Sequence, residues 1–195
     1  MENTEITHFL VGNRIPRDFF VTSGTGESDL TVHAGSYHLA LKDAGVEMCN
    51  IMTYSSILPG IATEIPHPRK LTHGSVMESI FSVCNCEKGT QATAGVIYGW
   101  LYDKSNKKYG GLVCEIFGND SSVTIDKKLN ASLEELYYNG YSDDFELRDR
   151  RVIIKSFIPQ KKYGTALVAL CFVNYEYPIL RGEFNGESKL QSNGN

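Results

Sequence analysis

The run Asn50-Ile51-Met52-Thr53-Tyr54-Ser55-Ser56-Ile57-Leu58-Pro59-Gly60 decides how this chain is read. Its first half is apolar and strand-like. Its second half ends on Leu-Pro-Gly, a combination that punctuates ordered structure. Two small hydroxyls therefore stand at the abrupt end of a strand, where a peptide bond can be held under strain, and stored backbone strain marks functional sites more often than accidents.

Working outward, Phe19 to Thr22 reads as a strand entering a glycine-rich turn, Ser23-Gly24-Thr25-Gly26-Glu27-Ser28. Ser36 to Ala44 reads as a helix that Gly45 stops, and Val46 to Tyr54 as the strand that carries the serine pair. Downstream, Val76 to Cys84 and Thr93 to Tyr102 have strand patterning. Asp103 to Gly110 is a polar hairpin loop before a strand from Gly111 to Phe117. Ser132-Leu133-Glu134-Glu135 has the form of a capping box and predicts a helix that opens there and continues through Tyr137 and Tyr138. Val152 to Ile158 and Ala166 to Val173 supply two late strands. This order predicts an α+β fold, a layered sandwich of two mainly antiparallel sheets flanked by helices. Residues 1–180 read as a single domain, and the polar, glycine-rich residues 181–195 as a disordered tail.

Composition removes several function classes. The chain has 195 residues, enough for a sizeable core, and a net charge of -4, which does not suit a nucleic-acid binder. Its lysines are scattered, as at Lys104, Lys107, Lys108, Lys161 and Lys162, rather than gathered on one face. No apolar run reaches the roughly 20 residues that span a bilayer, and the acidic start lacks a secretory pattern, so a cytoplasmic protein is expected. Five cysteines, an odd number mostly inside apolar runs, read as reduced core thiols. Cys84-Asn85-Cys86 has no second pair or histidine cluster to complete a ligand set, so no metal is expected. Gly24-Thr25-Gly26 lacks the lysine of a phosphate loop, and no G-x-S-x-G elbow appears. Asn119-Asp120-Ser121 and Asn130-Ala131-Ser132 match sequons and are read as turn and cap residues.

From Phe19 to Val173 the sequence resembles the pyruvoyl-dependent arginine decarboxylases. The resemblance rests on Thr22 to Ser28, Ala44-Gly45, Asn50, Ser55-Ser56-Ile57-Leu58-Pro59 and Glu115 within Leu112-Val113-Cys114-Glu115. It implies a zymogen that cleaves itself between Ser55 and Ser56. Ser56 Oγ attacks the Ser55 carbonyl carbon, converting amide to ester. Loss of the Ser56 α-proton then expels the Ser55 carboxylate, and the resulting dehydroalanine hydrolyses to a pyruvoyl group with release of ammonia. The products are a β chain of residues 1–55 and an α chain beginning at 56. The covalent pyruvoyl group replaces pyridoxal phosphate: a substrate amine condenses with it, and it accepts the electron pair left by departing carbon dioxide.

The resemblance further implies that Asn50 assists processing by hydrogen-bonding the developing oxyanion, and that Glu115 returns a proton to the substrate α-carbon. It implies a homotrimer or dimer of trimers acting on L-arginine, giving agmatine and carbon dioxide for polyamine synthesis or for acid resistance. In one place the chain departs from the pattern. The family's guanidinium-binding aspartate aligns with His38, so Asp29, Glu27 or Glu47 is expected to supply the carboxylate, with Asp29 ranked first. The alternatives are a pyruvoyl decarboxylase of another amino acid, or a non-enzymatic oligomeric binding protein whose chain stays intact.

Overall fold

The computed structural model describes residues 11–179. The expected tail, residues 181–195, lies outside them. The chain forms β1 (Ile15–Ser28), a π-helical turn (Val32–Tyr37), α1 (His38–Asp43), β2 (Asn50–Thr53), β3 (Ile57–Pro59), β4 (Thr63–Glu64), β5 (Val76–Glu87), β6 (Ala92–Tyr102), β7 (Lys108–Gly118), α2 (Ser122–Gly140), β8 (Glu146–Phe157) and β9 (Tyr163–Glu176). One sheet has the order β2-β5-β9-β1-β4 and the other β3-β7-β6-β8. All pairings are antiparallel except β1 with β4 and β2 with β5.

The alternation of side chains along each strand sorts the core into layers. Phe19, Ile80, Cys84, Val96, Val113, Val168, Leu170 and Phe172 meet between the two sheets. On the outer face of the five-stranded sheet, Phe20, Met77, Leu167, Ala169 and Cys171 pack against Ala40, Leu41 and Ala44 of the α1 segment. On the outer face of the other sheet, Ile97, Leu101 and Leu112 pack against Ile125, Leu129 and Leu133 of α2. The α+β layered sandwich expected from the sequence is therefore the observed architecture, with one helix on each outside face.

Three local readings are corrected. The glycine-rich stretch Ser23 to Ser28 is not a turn but the second half of β1, paired residue by residue with Val168 to Tyr163 of β9. Glycine is required there by close approach, not by a turn. A Cβ on Gly24 would lie 2.2 Å from Ala40 O, and one on Gly26 2.2 Å from Ser36 O, so the helical segment lies directly on the strand backbone. That segment begins at Val32, earlier than expected. It ends as predicted, with Gly45 at φ 72° and Val46 N donating to Leu41 O at 3.0 Å.

The second correction concerns α2, which opens ten residues before the supposed capping box. Ser121 is its N-cap, with Oγ accepting from Thr124 N at 3.2 Å. Ile125, Leu129 and Leu133 repeat at helical spacing from that start and are fully buried, so burial of this stripe carries the helix through Ser132. Asn130 to Ser132 is accordingly mid-helix, and the cap falls at Ser121 instead of Ser132. Third, β2 is shorter than read. Cys49 N bonds Val46 O at 3.0 Å, turning the chain before the strand begins at Asn50.

Candidate functional site

Ser55 and Ser56 occupy the crossing between the two sheets. β2 is an edge strand of one sheet, and β3, the next element, is an edge strand of the other. Tyr54 N donates to Ser79 O of β5 at 2.8 Å, which fixes the chain just before the pair. Val113 N of β7 donates to Ser56 O at 2.8 Å, which fixes it at the second serine. The peptide between the serines therefore bridges two anchored strands. Beyond it, Leu58 is wholly buried, Lys108 Nζ donates to Ala62 O at 2.8 Å, and Tyr98 Oη donates to Glu64 Oε2 at 2.5 Å. Burial and the adjacent Glu64 push the Tyr98 hydroxyl up to about 12, so it remains a donor. Ser55 is exposed and Ser56 half-buried, leaving the bond reachable while its flanks are held.

Glu115 lies on β7, two residues beyond the amide that holds Ser56. Leu112, Cys114 and Ile116 face α2, whereas Val113 belongs to the core between the sheets. Strand alternation puts Glu115 on the Val113 side, roughly 7 Å further along. Its carboxyl is reachable by solvent in the single chain, yet the surrounding protein desolvates it enough to raise its pKa above the ordinary carboxylate value. A carboxylic acid that keeps its proton is what a donor to carbon requires.

The structure does not gather the remaining sequence candidates around Ser56 within one chain. Asn50 begins β2, and its Nδ2 donates to Gly74 O at 3.0 Å. Five extended residues, roughly 16 Å, separate it from Ser55. Glu27 Oε2 accepts from Gln160 N at 2.7 Å and Lys161 N at 3.3 Å, and Asp29 Oδ1 accepts from Lys162 N at 3.1 Å. Both acids thus pin the β8–β9 connection. Ser79 is level with Cys171 and Phe20 across the sheet. Glu27 lies seven residues further up β1, roughly 23 Å away, beside an 820 Å³ depression also lined by Leu39, Lys42 and Asp43. His38 is exposed at the start of α1, on the outer face of the five-stranded sheet.

A residue absent from the sequence-based candidates sits close to the crossing. Glu78 is 2 % exposed in β5, opposite Met52 of β2, and is ion-paired with Arg14. Its parity with Ile80 and Cys84 turns it toward the space between the sheets. The period-2 pattern of Val76 to Cys84, an acid at an inward position of an otherwise core-building strand, was the available signal.

Comparison with known proteins gives the family. The family model for pyruvoyl-dependent arginine decarboxylase matches residues 18–177. A protein of Chlamydia muridarum called pyruvoyl-dependent arginine decarboxylase AaxB is 30% identical over 190 residues, covering 85% of this chain and 94% of the relative. Its counterpart in Chlamydia pneumoniae is 28% identical over the same length. The pyruvoyl-dependent arginine decarboxylase of Methanopyrus kandleri is 28% identical over 122 residues, covering 63% of this chain and 75% of the relative. The chain belongs to the pyruvoyl-dependent arginine decarboxylase family.

Proposed function

We propose that this protein cleaves itself between Ser55 and Ser56 and then decarboxylates L-arginine to agmatine and carbon dioxide. The observation that carries the reading is the tethering of the Ser55–Ser56 peptide between β5 and β7, with a protonatable Glu115 on the strand that holds Ser56. Ser56 supplies both the nucleophilic Oγ and the α-proton, and Ser55 supplies the carbonyl under attack. The residues fit the group they would generate, because the residue at 56 stays fixed through its own carbonyl once the bond before it is cut. A pyruvoyl group at 56 supplies the electron sink for loss of carbon dioxide. Glu115 holds the proton that replaces the carboxylate on the substrate α-carbon.

Asn50 is engaged elsewhere in its own chain, so its part in processing is assigned to a contact between chains. A homotrimer, or a pair of trimers, supplies such contacts. The reading is supported by the edge of β7 past Val113, which β3 leaves uncovered, and by Phe117, 62% exposed on it. The protein acts in the cytoplasm and feeds polyamine synthesis. Denaturing electrophoresis and mass spectrometry test the first step, and carbon dioxide release from a panel of amino acids tests the second. Two chains meeting at Ser55/Ser56 and a preference for arginine are expected. A folded, active protein that remains one chain would falsify the mechanism, while preference for ornithine, lysine or histidine would replace only the substrate.

A further inference from the structure

Among the described residues, the buried side-chain oxygens without a hydrogen bond are both carboxylate oxygens of Glu78 and the hydroxyl of Tyr175. They share one corner. Arg14 is ion-paired with Glu78, and its guanidinium lies 5.5 Å from the centre of the Tyr175 ring, with Tyr54 and Tyr177 beside it. A buried carboxylate is costly unless a cation compensates it, and here that cation is a guanidinium whose side chain is 45% exposed. Arg14 follows Gly12, whose N donates to Pro178 O at 2.7 Å.

The same corner contains the serine crossing. Tyr54 follows Met52, the partner of Glu78, by two residues and packs into the core between the sheets. Ser56 is two residues further, roughly 7 Å of extended chain. Ser82 Oγ donates to Ile116 O at 2.8 Å and Cys84 Sγ to Gly118 O at 3.2 Å, so β5 and β7 run in step. Stepping back along both strands sets Glu78 near Leu112 and Val113, the latter holding Ser56. An arginine side chain spans about the length of two extended residues. With its amine at residue 56, an arginine directed along this span covers about half of the four residues back to Met52, and the inward-turned Glu78 side chain approaches it from the other end.

We infer that Glu78 is the carboxylate that selects the guanidinium end of the substrate, and that Arg14 is an internal guanidinium holding this subsite until substrate displaces it. The inference rests on the proposed arginine decarboxylation. It explains how a chain with His38 in place of the family's aspartate can still bind arginine. The carboxylate comes from β5, is already ion-paired with a guanidinium through one oxygen, and has its second oxygen unpartnered, so a planar cation has room to engage both. The tyrosine rings add faces on which a guanidinium stacks.

The test uses processed full-length protein, with steady-state kinetics on arginine and citrulline and calorimetric titration with agmatine. Citrulline has the shape of arginine without its charge, so it leaves Glu78 uncompensated. Glu78→Gln is expected to raise KM for arginine about 100-fold with kcat nearly unchanged, and to collapse the preference for arginine over citrulline. Arg14→Ala removes the competitor and is expected to lower KM for arginine, and tighten agmatine binding, about fivefold. Should Glu78→Gln fail to fold or to cleave, Arg14→Ala decides alone. An Arg14→Ala protein that is destabilised, with agmatine binding unchanged or weaker, would show the pair to be structural and overturn the inference. If processed wild-type protein releases no carbon dioxide from arginine, the substrate reading fails separately. Agmatine titration of the same wild-type and Glu78→Gln proteins still judges the subsite.

Discussion

At the scale of single residues, the roles proposed for Ser56 and Glu115 divide the chemistry into two stages. Ser56→Ala is expected to leave one uncut chain, because no β-oxygen remains to attack or to leave. Ser55→Ala is expected to cleave, since only its carbonyl takes part. Intact-mass spectrometry reads both outcomes, and a cut Ser56→Ala chain would remove Ser56 from the mechanism. Glu115→Gln is expected to give processed protein with turnover lowered at least about 100-fold, because the amide has no acidic proton to deliver. The pH dependence follows from the sign of the shift. Burial raises the Glu115 pKa, so the donor persists above the ordinary value of about 4.3 and is lost as pH rises through the raised value. The kcat profile should therefore fall on its alkaline side with that pKa, a limb missing from Glu115→Gln. These two residues were legible because chemistry marks them: adjacent serines at a strand end, and an acid in an apolar strand. Glu78 was not, because its meaning depends on Arg14, which lies 64 positions away in sequence and meets it only in the folded chain.

At the scale of elements, the sequence shows periodicity well and close approach poorly. The long strands β5, β6, β7 and β9 follow their alternating or continuously apolar patterns. The second half of β1 was misread because glycine signals a turn whenever the partner pressing on it is unseen. Here the partner is the α1 segment, packed so that Gly24 and Gly26 face Ala40 O and Ser36 O. Gly24→Ala is accordingly expected to destabilise the protein by at least about 3 kcal/mol, since backbone must move to admit a methyl group. Ser121→Ala, which removes only the α2 cap, should cost about 1 kcal/mol. Urea denaturation compares the two, and equal midpoints would mean that α1 does not rest on β1 as described. The short strands β3 and β4, three and two residues long, carry no period that a sequence can display. Their pairing is dictated by the chain crossing between sheets.

For the whole molecule, the decisive relation is how the cut divides the layers. The proposed β chain supplies β1, the α1 segment and β2, all to one sheet and its outer face, whereas the α chain supplies everything else. The two are interleaved rather than docked. β1 lies between β9 and β4, and its ladder with β9 runs from Ile15 opposite Glu176 to Ser28 opposite Tyr163. Phe19 fills the core between the sheets and Phe20 the core beneath α1, both wholly buried. Removing residues 1–55 would expose one side of β9, a strand buried from Gly164 to Phe172, together with the apolar faces that those phenylalanines cover. The cleaved chains are therefore expected to co-elute on size exclusion in native buffer and to separate only in denaturant. Residues 56–195 produced alone should be insoluble or lack a cooperative thermal transition, with solubility and calorimetry as the readouts. A soluble 56–195 fragment that melts cooperatively like the whole protein would show that β1 is dispensable to the sheet, and that cleavage divides a looser assembly than this interleaving requires.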